Sequence, residues 1–464
     1  MKLYGISDGA VLQRDENGVC RARIRADYAG TLTCSAGKLE PDGEGFLYTG
    51  LPTGGPYTVT FRDETDECTF DGLYVGDVWL LAGQSNMEGA GIMTEEDDAL
   101  AAHPDPAVRA FYMDDAWDAA RPLLHQQWKS PDPSLRAVWE WHNKSLAERS
   151  FHPTDLYPAE QRRGVGPGFR FAKEMYRYTG VPQGVIPCAV GGAPMSMWIP
   201  VPGENNHLTA ALRRIRCAGG VIRGMFWYQG ESDVGEGTRN VYADRMQALL
   251  GALAPYCLTG DTVPTVEVQI GGHALPHCDD PGDNRAWSEF RSFQLTLEKR
   301  FPCHAVVAAI DLERDDLIHL SSGAQTRVGC RGAYAMYRLL TGKGLPEPRI
   351  ASVAAAPMKY CPFWYELHIT FENTDGALRA FGYPRGFVLY DAGKAGVGSG
   401  DAMIQRTVLS GNTVILRTEL PLEELRKKEL WYGYGHHTVC TITDGADRAV
   451  PACGPIPLAE ISVQ

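Results

Sequence analysis

Nowhere in the 464 residues does an apolar run approach the roughly 20 residues that span a bilayer, so no membrane partner is expected. Basic charge is scarce as well. With 57 acidic against 44 basic residues the net charge is -13, and the short run Arg426–Lys428 reads as a solvated helix face, so nucleic acid is not an expected partner. The twelve cysteines form no CxxC pair, and no HExxH motif occurs. The nearest approach to a metal site is His273, His277 and Cys278 beside Asp279 and Asp280. It reads as a polar loop, so neither metal nor cofactor is expected. Nor does a GxGxxG turn follow a strand pattern to suggest a nucleotide. The opening MKLYGISDGA lacks the apolar stretch of a secretory signal, which sets the expectation of a cytoplasmic protein with free thiols. Whether the chain forms a homo-oligomer stays open.

What is present is patterning. Over residues 1–72, short alternating stretches such as CRARIRA (Cys20–Ala26) and PYTVTF (Pro56–Phe61) lie between Gly, Pro and Asp turns and predict a small β-rich domain. Over residues 73–349 the texture changes. Compact apolar runs, among them YVGDVWLLA (Tyr74–Ala82), VIPCAV (Val185–Val190), VIRGMFWY (Val221–Tyr228) and AVVAAIDL (Ala305–Leu312), alternate with segments of helical period such as FRFAKEMYRY (Phe169–Tyr178). Strands buried on both faces and separated by helices predict a three-layer α/β domain with a mostly parallel sheet. An insertion around 92–164 breaks the rhythm with Trp117, Trp128, Trp139 and Trp141, rings that either line a carbohydrate cleft or pack a core. From 350 to 464 alternation returns, in WYELHITFEN (Trp364–Asn373), NTVILRTE (Asn412–Glu419) and HTVCTITD (His437–Asp444), and predicts a β-sandwich-like domain.

In open α/β sheets the residues just past strand ends are those placed to do chemistry. Ser85 stands there in GDVWLLAGQSNMEG, with Gly83 able to supply an unusual turn and Asn86 and Glu88 able to fix the loop that follows. Gly191-Gly192 follow VIPCAV, where a glycine turn can aim an N–H at a developing oxyanion. Gln229, Glu231 and Asp233 follow FWY, and the Gln229 amide can donate to the same charge. In DLERDDLIHLSSG, Asp316 precedes His319 by a spacing that lets a short turn bring carboxylate to imidazole, the arrangement by which an acid orients a base for a serine.

Taken in order, these segments resemble the blocks of the sialate O-acetylesterase family, a branch of the SGNH hydrolase superfamily. GQSNM (Gly83–Met87) is similar to its nucleophile block, Gly191-Gly192 to its oxyanion block, WYQGESD (Trp227–Asp233) to its third block and DLIH (Asp316–His319) to its terminal block. VLQRD (Val11–Asp15), VPQGVIPCAVGGAPMSMW (Val181–Trp198) and RAWSEFRSFQLTL (Arg285–Leu297) extend the likeness over nearly the whole chain. The resemblance implies an SGNH-like fold and a serine esterase acting on O-acetylated sugars. Ser85, His319 and Asp316 would then be catalytic, with an oxyanion site of Ser85, Gly192 and Gln229, and with Glu231, Asp233 and Trp198 as auxiliary or substrate contacts. Sialic acid and xylose-containing oligosaccharides are both implied as carriers of the acetyl group. The chain departs from the family pattern at Leu320, where proline usually follows the histidine. Three other readings stay open: an esterase for another short-chain ester, a hydrolase in which Glu231 or Asp233 replaces Asp316, and a carbohydrate-binding protein without turnover.

Overall fold

The computed structural model describes residues 1–27, 30–43, 45–137, 140, 144, 163–235, 237–274, 280–396, 400 and 402–464. They form two compact units, the first of residues 1–232, 243–266 and 319–337, the second of residues 233–242, 267–318 and 338–464.

The first unit opens with a four-stranded sheet in the order Leu3–Tyr4, Val19–Ala26, Gly45–Pro52 and Lys38–Asp42. Its alternating pattern buries Cys20, Ala22 and Ile24 on one face and leaves Arg21, Arg23 and Arg25 more exposed. The central sheet is built on β1 (Glu67–Gly83), β2 (Val108–Phe111), β3 (Trp117–Ala119), β4 (Gln183–Pro187) and β5 (Gly224–Tyr228). Its order is β3-β2-β4-β1-β5, parallel from β2 to β5, with β3 added antiparallel at the edge. β1 has two characters. Its first six residues alternate between exposed and half-buried, paired with the hairpin strand Gly54–Arg62, whereas Leu73–Gly83 is buried throughout, as a strand covered on both faces must be.

Helix α1, Pro167–Thr179, covers this sheet. It starts on proline after Gly166 and ends on Gly180 at φ 66°, the usual start and stop residues for a helix. Its buried face places Phe171 in a stack with Phe226 of β5 at 4.8 Å and edge-on to Trp79 of β1 at 5.5 Å. β6, Thr265–Gln269, begins in the first unit and continues into the second, where β7, His304–Ala308, is its neighbour.

The second unit also holds a five-stranded sheet, ordered Arg406–Ser410, Thr413–Leu420, Cys361–Glu372, Arg349–Met358 and Ser462–Val463, and a three-stranded sheet of Phe387–Asp391, Lys428–Tyr432 and Cys453–Pro457. Leu367, Ile369 and Leu416 from one sheet share a core with Leu389, Leu430 and Tyr432 from the other, which is sandwich packing. HTVCTITD departs from its expected strand. Only Ile442–Thr443 pair regularly; Cys440 and Ile442 are buried while Val439 is exposed. The described cysteines are free, and no described helix is long and apolar enough to cross a membrane.

Candidate active site

Ser85 owes its place to the end of β1. Gly83 has φ 135°, and a Cβ there would lie 2.1 Å from the Tyr228 carbonyl oxygen at the end of β5, so only glycine lets the two strand ends close up. Gln84 donates its N–H to that same oxygen at 2.9 Å and leads into the single helical turn Ser85–Glu88. Ser85 is partly exposed at the start of this turn while Asn86 and Met87 turn inward. The Gln84 side-chain oxygen then accepts the N–H groups of Gly230 at 3.4 Å and Ser232 at 3.3 Å, tying the serine turn to the segment after β5.

Asn86 joins the remaining pieces. Its Nδ2 donates to Glu231 Oε1 at 3.2 Å, and its Oδ1 accepts the Leu320 N–H at 3.1 Å and Gln325 Nε2 at 3.3 Å. The Leu320 bond is one that proline, having no N–H, could not make, so the departure from the family pattern has a structural use here. His319 is half-buried beside it, with Arg163 Nη2 at 3.4 Å from its Nδ1. Arg163 is held in turn by its Nε donating to the Ala90 carbonyl at 2.8 Å. No pattern in the sequence marks Arg163. It reaches the site because its short strand, Arg163–Val165, pairs with Gly91–Ile92 just beyond the serine turn.

The loop after β4 carries Gly192 in a left-handed conformation, φ 67°, with no atom within 4 Å of where a Cβ would stand. Side chains hold this loop residue by residue. Gln127 Nε2 donates to Ala189 O at 3.4 Å, the Glu88 carboxyl accepts the Gly191 N–H, Ser232 Oγ donates to Gly192 O at 3.1 Å and Gln229 Nε2 donates to Ala193 O at 3.2 Å. Glu88 keeps some exposure as a residue, but its carboxyl faces inward, and burial pushes it up to about 8 against the opposing pull of the Gly191 N–H and the Gln127 side chain. It is therefore largely protonated at neutral pH. His125 is pushed down to about 3, first by burial and then by the Arg214 cation, so it stays neutral.

The other expected residues are placed as follows. Asp316 belongs to the second unit, half-buried, with its Oδ1 accepting the Ile318 N–H at 2.8 Å. Glu231 is partly exposed and Asp233 is buried at the start of the second unit's first segment. Trp198 is a correction: it is fully buried, edge-on to Trp227 at 5.3 Å, and belongs to the core rather than to a substrate surface. Trp117 is nine-tenths buried and Trp128 is 52% exposed, while Trp139 and Trp141 lie outside the described residues. His273 stacks on Trp287 at 4.6 Å; His277, Cys278 and Asp279 also lie outside the described residues. Among the described residues no group of three or more His, Cys, Asp or Glu side chains is placed to hold a metal ion.

Against this geometry, the family model for carbohydrate esterases of the sialic acid-specific acetylesterase type matches residues 75–338. The chain belongs to that family. The match runs from β1 through the segment that carries His319, so it takes in all four blocks read from the sequence. A probable carbohydrate esterase of Arabidopsis thaliana is 28% identical over 267 residues, 56% of this chain and 89% of the relative. A carbohydrate acetylesterase from Xanthomonas citri has the same fold, with a TM-score of 0.67 at 20% identity, over 96% of this chain and 97% of the other. The esterase thus has the expected SGNH-like α/β core, preceded and followed along the chain by β-rich segments.

Proposed function

We propose that this carbohydrate esterase removes acetyl groups from sugar hydroxyls, with Ser85 as nucleophile, His319 as general base and Asp316 as the carboxylate that orients the imidazole. The observation that supports this most directly is the buried Asn86 side chain. It binds the residue after Ser85 to Glu231 and to the N–H next to His319, so the serine turn and the histidine are held by one amide.

In the first half of the cycle His319 takes the hydroxyl proton as Ser85 Oγ attacks the ester carbonyl. The oxyanion is met by the Ser85 and Gly192 N–H groups and the Gln229 amide. Collapse breaks the bond to the sugar oxygen, which receives the proton from His319 and leaves as the free hydroxyl. Water, giving a proton to His319, then attacks the acyl-serine, and collapse of that intermediate returns the proton from His319 to Ser85 Oγ and releases acetate. A guanidinium can only donate, so Arg163 addresses an Nδ1 that carries a lone pair. The base-competent ring, protonated on Nδ1, needs an acceptor at that edge, and this is the part assigned to Asp316.

Acetate release from acetylated sugars and from an aryl acetate tests the scheme. Ser85→Ala should lower kcat by roughly 10⁴-fold or more with folding intact, and near-normal turnover in that variant would sink the mechanism. Activity should fall toward acid, because a protonated histidine cannot accept the serine proton. A second reading, with Glu231 as the essential carboxylate, rests on its bond to Asn86. Comparing kcat for Asp316→Asn and Glu231→Gln decides between them.

A further inference from the structure

One cavity of the first unit, about 510 Å³, is not used by this mechanism, yet its walls include chain neighbours of residues that hold the site's loops. Asp114 lines the cavity, and its neighbour Met113 packs with Val190 and Ala193 on either side of the Gly191-Gly192 turn. Gln126 lines it, and its neighbour Gln127 bonds Ala189 and Glu88. Met93 lines it, and its neighbour Ile92 pairs with Arg163, which reaches His319. Tyr112 and Asp114 lie just past the carboxyl end of β2, the sheet edge from which Ser85 also emerges. β4 alone separates β2 from β1, so the offset is two strand spacings, on the order of 10 Å, or about two sugar rings.

The lining suits a polyhydroxyl ligand of no net charge. Asp114 and Asp118 are balanced by Arg121 and Lys129, and Arg121 already gives Nη1 to Asp118 at 2.8 Å. Tyr112 and Trp117 add aromatic surface against which the C–H face of a sugar can lie. The six-membered edge of Trp117 abuts Gly184, where a Cβ would meet it at 2.8 Å, while its Nε1–H, on the opposite edge, has no acceptor among the described residues. Cavities of this size with a few polar groups among apolar walls are the ordinary form of a small-ligand site.

We propose that the cavity bounded by Tyr112, Asp114, Trp117, Arg121, Gln126 and Lys129 is a subsite for the neutral sugar residues next to the one that carries the ester. It rests on the reading that Ser85 is the nucleophile, and it narrows the substrate from any acetylated sugar to a neutral oligosaccharide. Alanine at the rim residues Asp114, Gln126 and Lys129 removes polar contacts, and Ala116→Trp, at an exposed position of the wall, fills the cavity with an indole.

The experiment measures kcat and KM on acetylated xylotetraose, an acetylated monosaccharide, an acetylated sialic acid and 4-nitrophenyl acetate. It also titrates deacetylated xylotetraose into the Ser85→Ala protein by calorimetry. The expected result is a KM for the tetraose that rises roughly tenfold in Ala116→Trp and in the triple alanine variant, with the aryl ester unchanged within about twofold. Calorimetry should show the same loss of binding, and it tests the subsite even if Ser85 proves not to be the nucleophile. Equal tetraose KM and equal binding in all proteins would overturn the proposal. So would a preference for the sialic acid ester over the tetraose.

Discussion

The two glycine turns of this site are held by opposite means. At Gly83 the constraint is steric: the chain of β1 passes so close to Tyr228 that a single methyl group would collide with backbone. At Gly192 the space is open, and the loop keeps its course through polar side chains, one of them the carboxyl of Glu88. A turn fixed by backbone contact is indifferent to pH and tolerates nothing larger than hydrogen. A turn fixed by side-chain hydrogen bonds tolerates a methyl group but responds to protonation.

The largest effect that this contrast predicts is in Gly83→Ala. Neither strand end can move without breaking the sheet, so a loss of at least ~3 kcal/mol is expected, read as a large fall in melting temperature or as insoluble protein. Gly192→Ala should cost only about 1 kcal/mol, the strain of a left-handed alanine with nothing to hit. Equal losses in the two variants would erase the distinction.

Next in size is Leu320→Pro, which removes the N–H that Asn86 accepts beside His319. Asn86 Oδ1 retains Gln325 as a donor, so the expected cost is ~1 kcal/mol, seen as a five- to tenfold lower kcat/KM with little change in stability. A proline variant as active as the parent would show that the bond does not position the histidine.

The smallest effect concerns Glu88→Gln, which preserves the acceptor for Gly191 and cannot ionise. At acid pH below the ordinary carboxylate range, folded and unfolded chains both hold the Glu88 proton. Between that range and about 8 only the folded chain does. The stability this group contributes is therefore complete at low pH and is lost as pH rises to about 8. Melting temperature measured between about pH 5 and about pH 9 should decline less steeply in Glu88→Gln than in the parent. Identical slopes would mean that the carboxyl is not the titrating hold on the loop.

Much of this architecture could be read from residue order. The buried runs became β1, β4, β5 and β7, because a strand covered on both faces admits few polar residues and so announces itself, although β1 starts seven residues before its run, at Glu67. Asn86 and Glu88 could be read as loop-fixing residues from their place after Ser85. Their partners could not, since Leu320, Gln325 and Gly191 come near only through tertiary folding. HTVCTITD failed for a related reason: its alternation is real but only two residues find a partner strand, and the backbone of Thr441, Ile442 and Asp444 bonds instead to Phe381, Arg385, Arg448, Val450 and the Tyr432 hydroxyl. Trp198 entered only through the family resemblance, and no residue beside it in the chain announces that it is fully buried edge-on to Trp227.

β1 belongs to two neighbourhoods along its 17 residues, a half-exposed hairpin first and a fully covered parallel sheet afterwards. A change of texture at residue 73 therefore marks no seam. Severing the chain there would cut through a continuous ladder and leave Val11–Gln13, which pairs with Tyr74–Gly76, without the hairpin that leads into its partner. The amino-terminal β region is in this sense a splint bound along β1. It cannot be exchanged for another module, as a tethered appendage could, without rebuilding the strand that ends at Ser85.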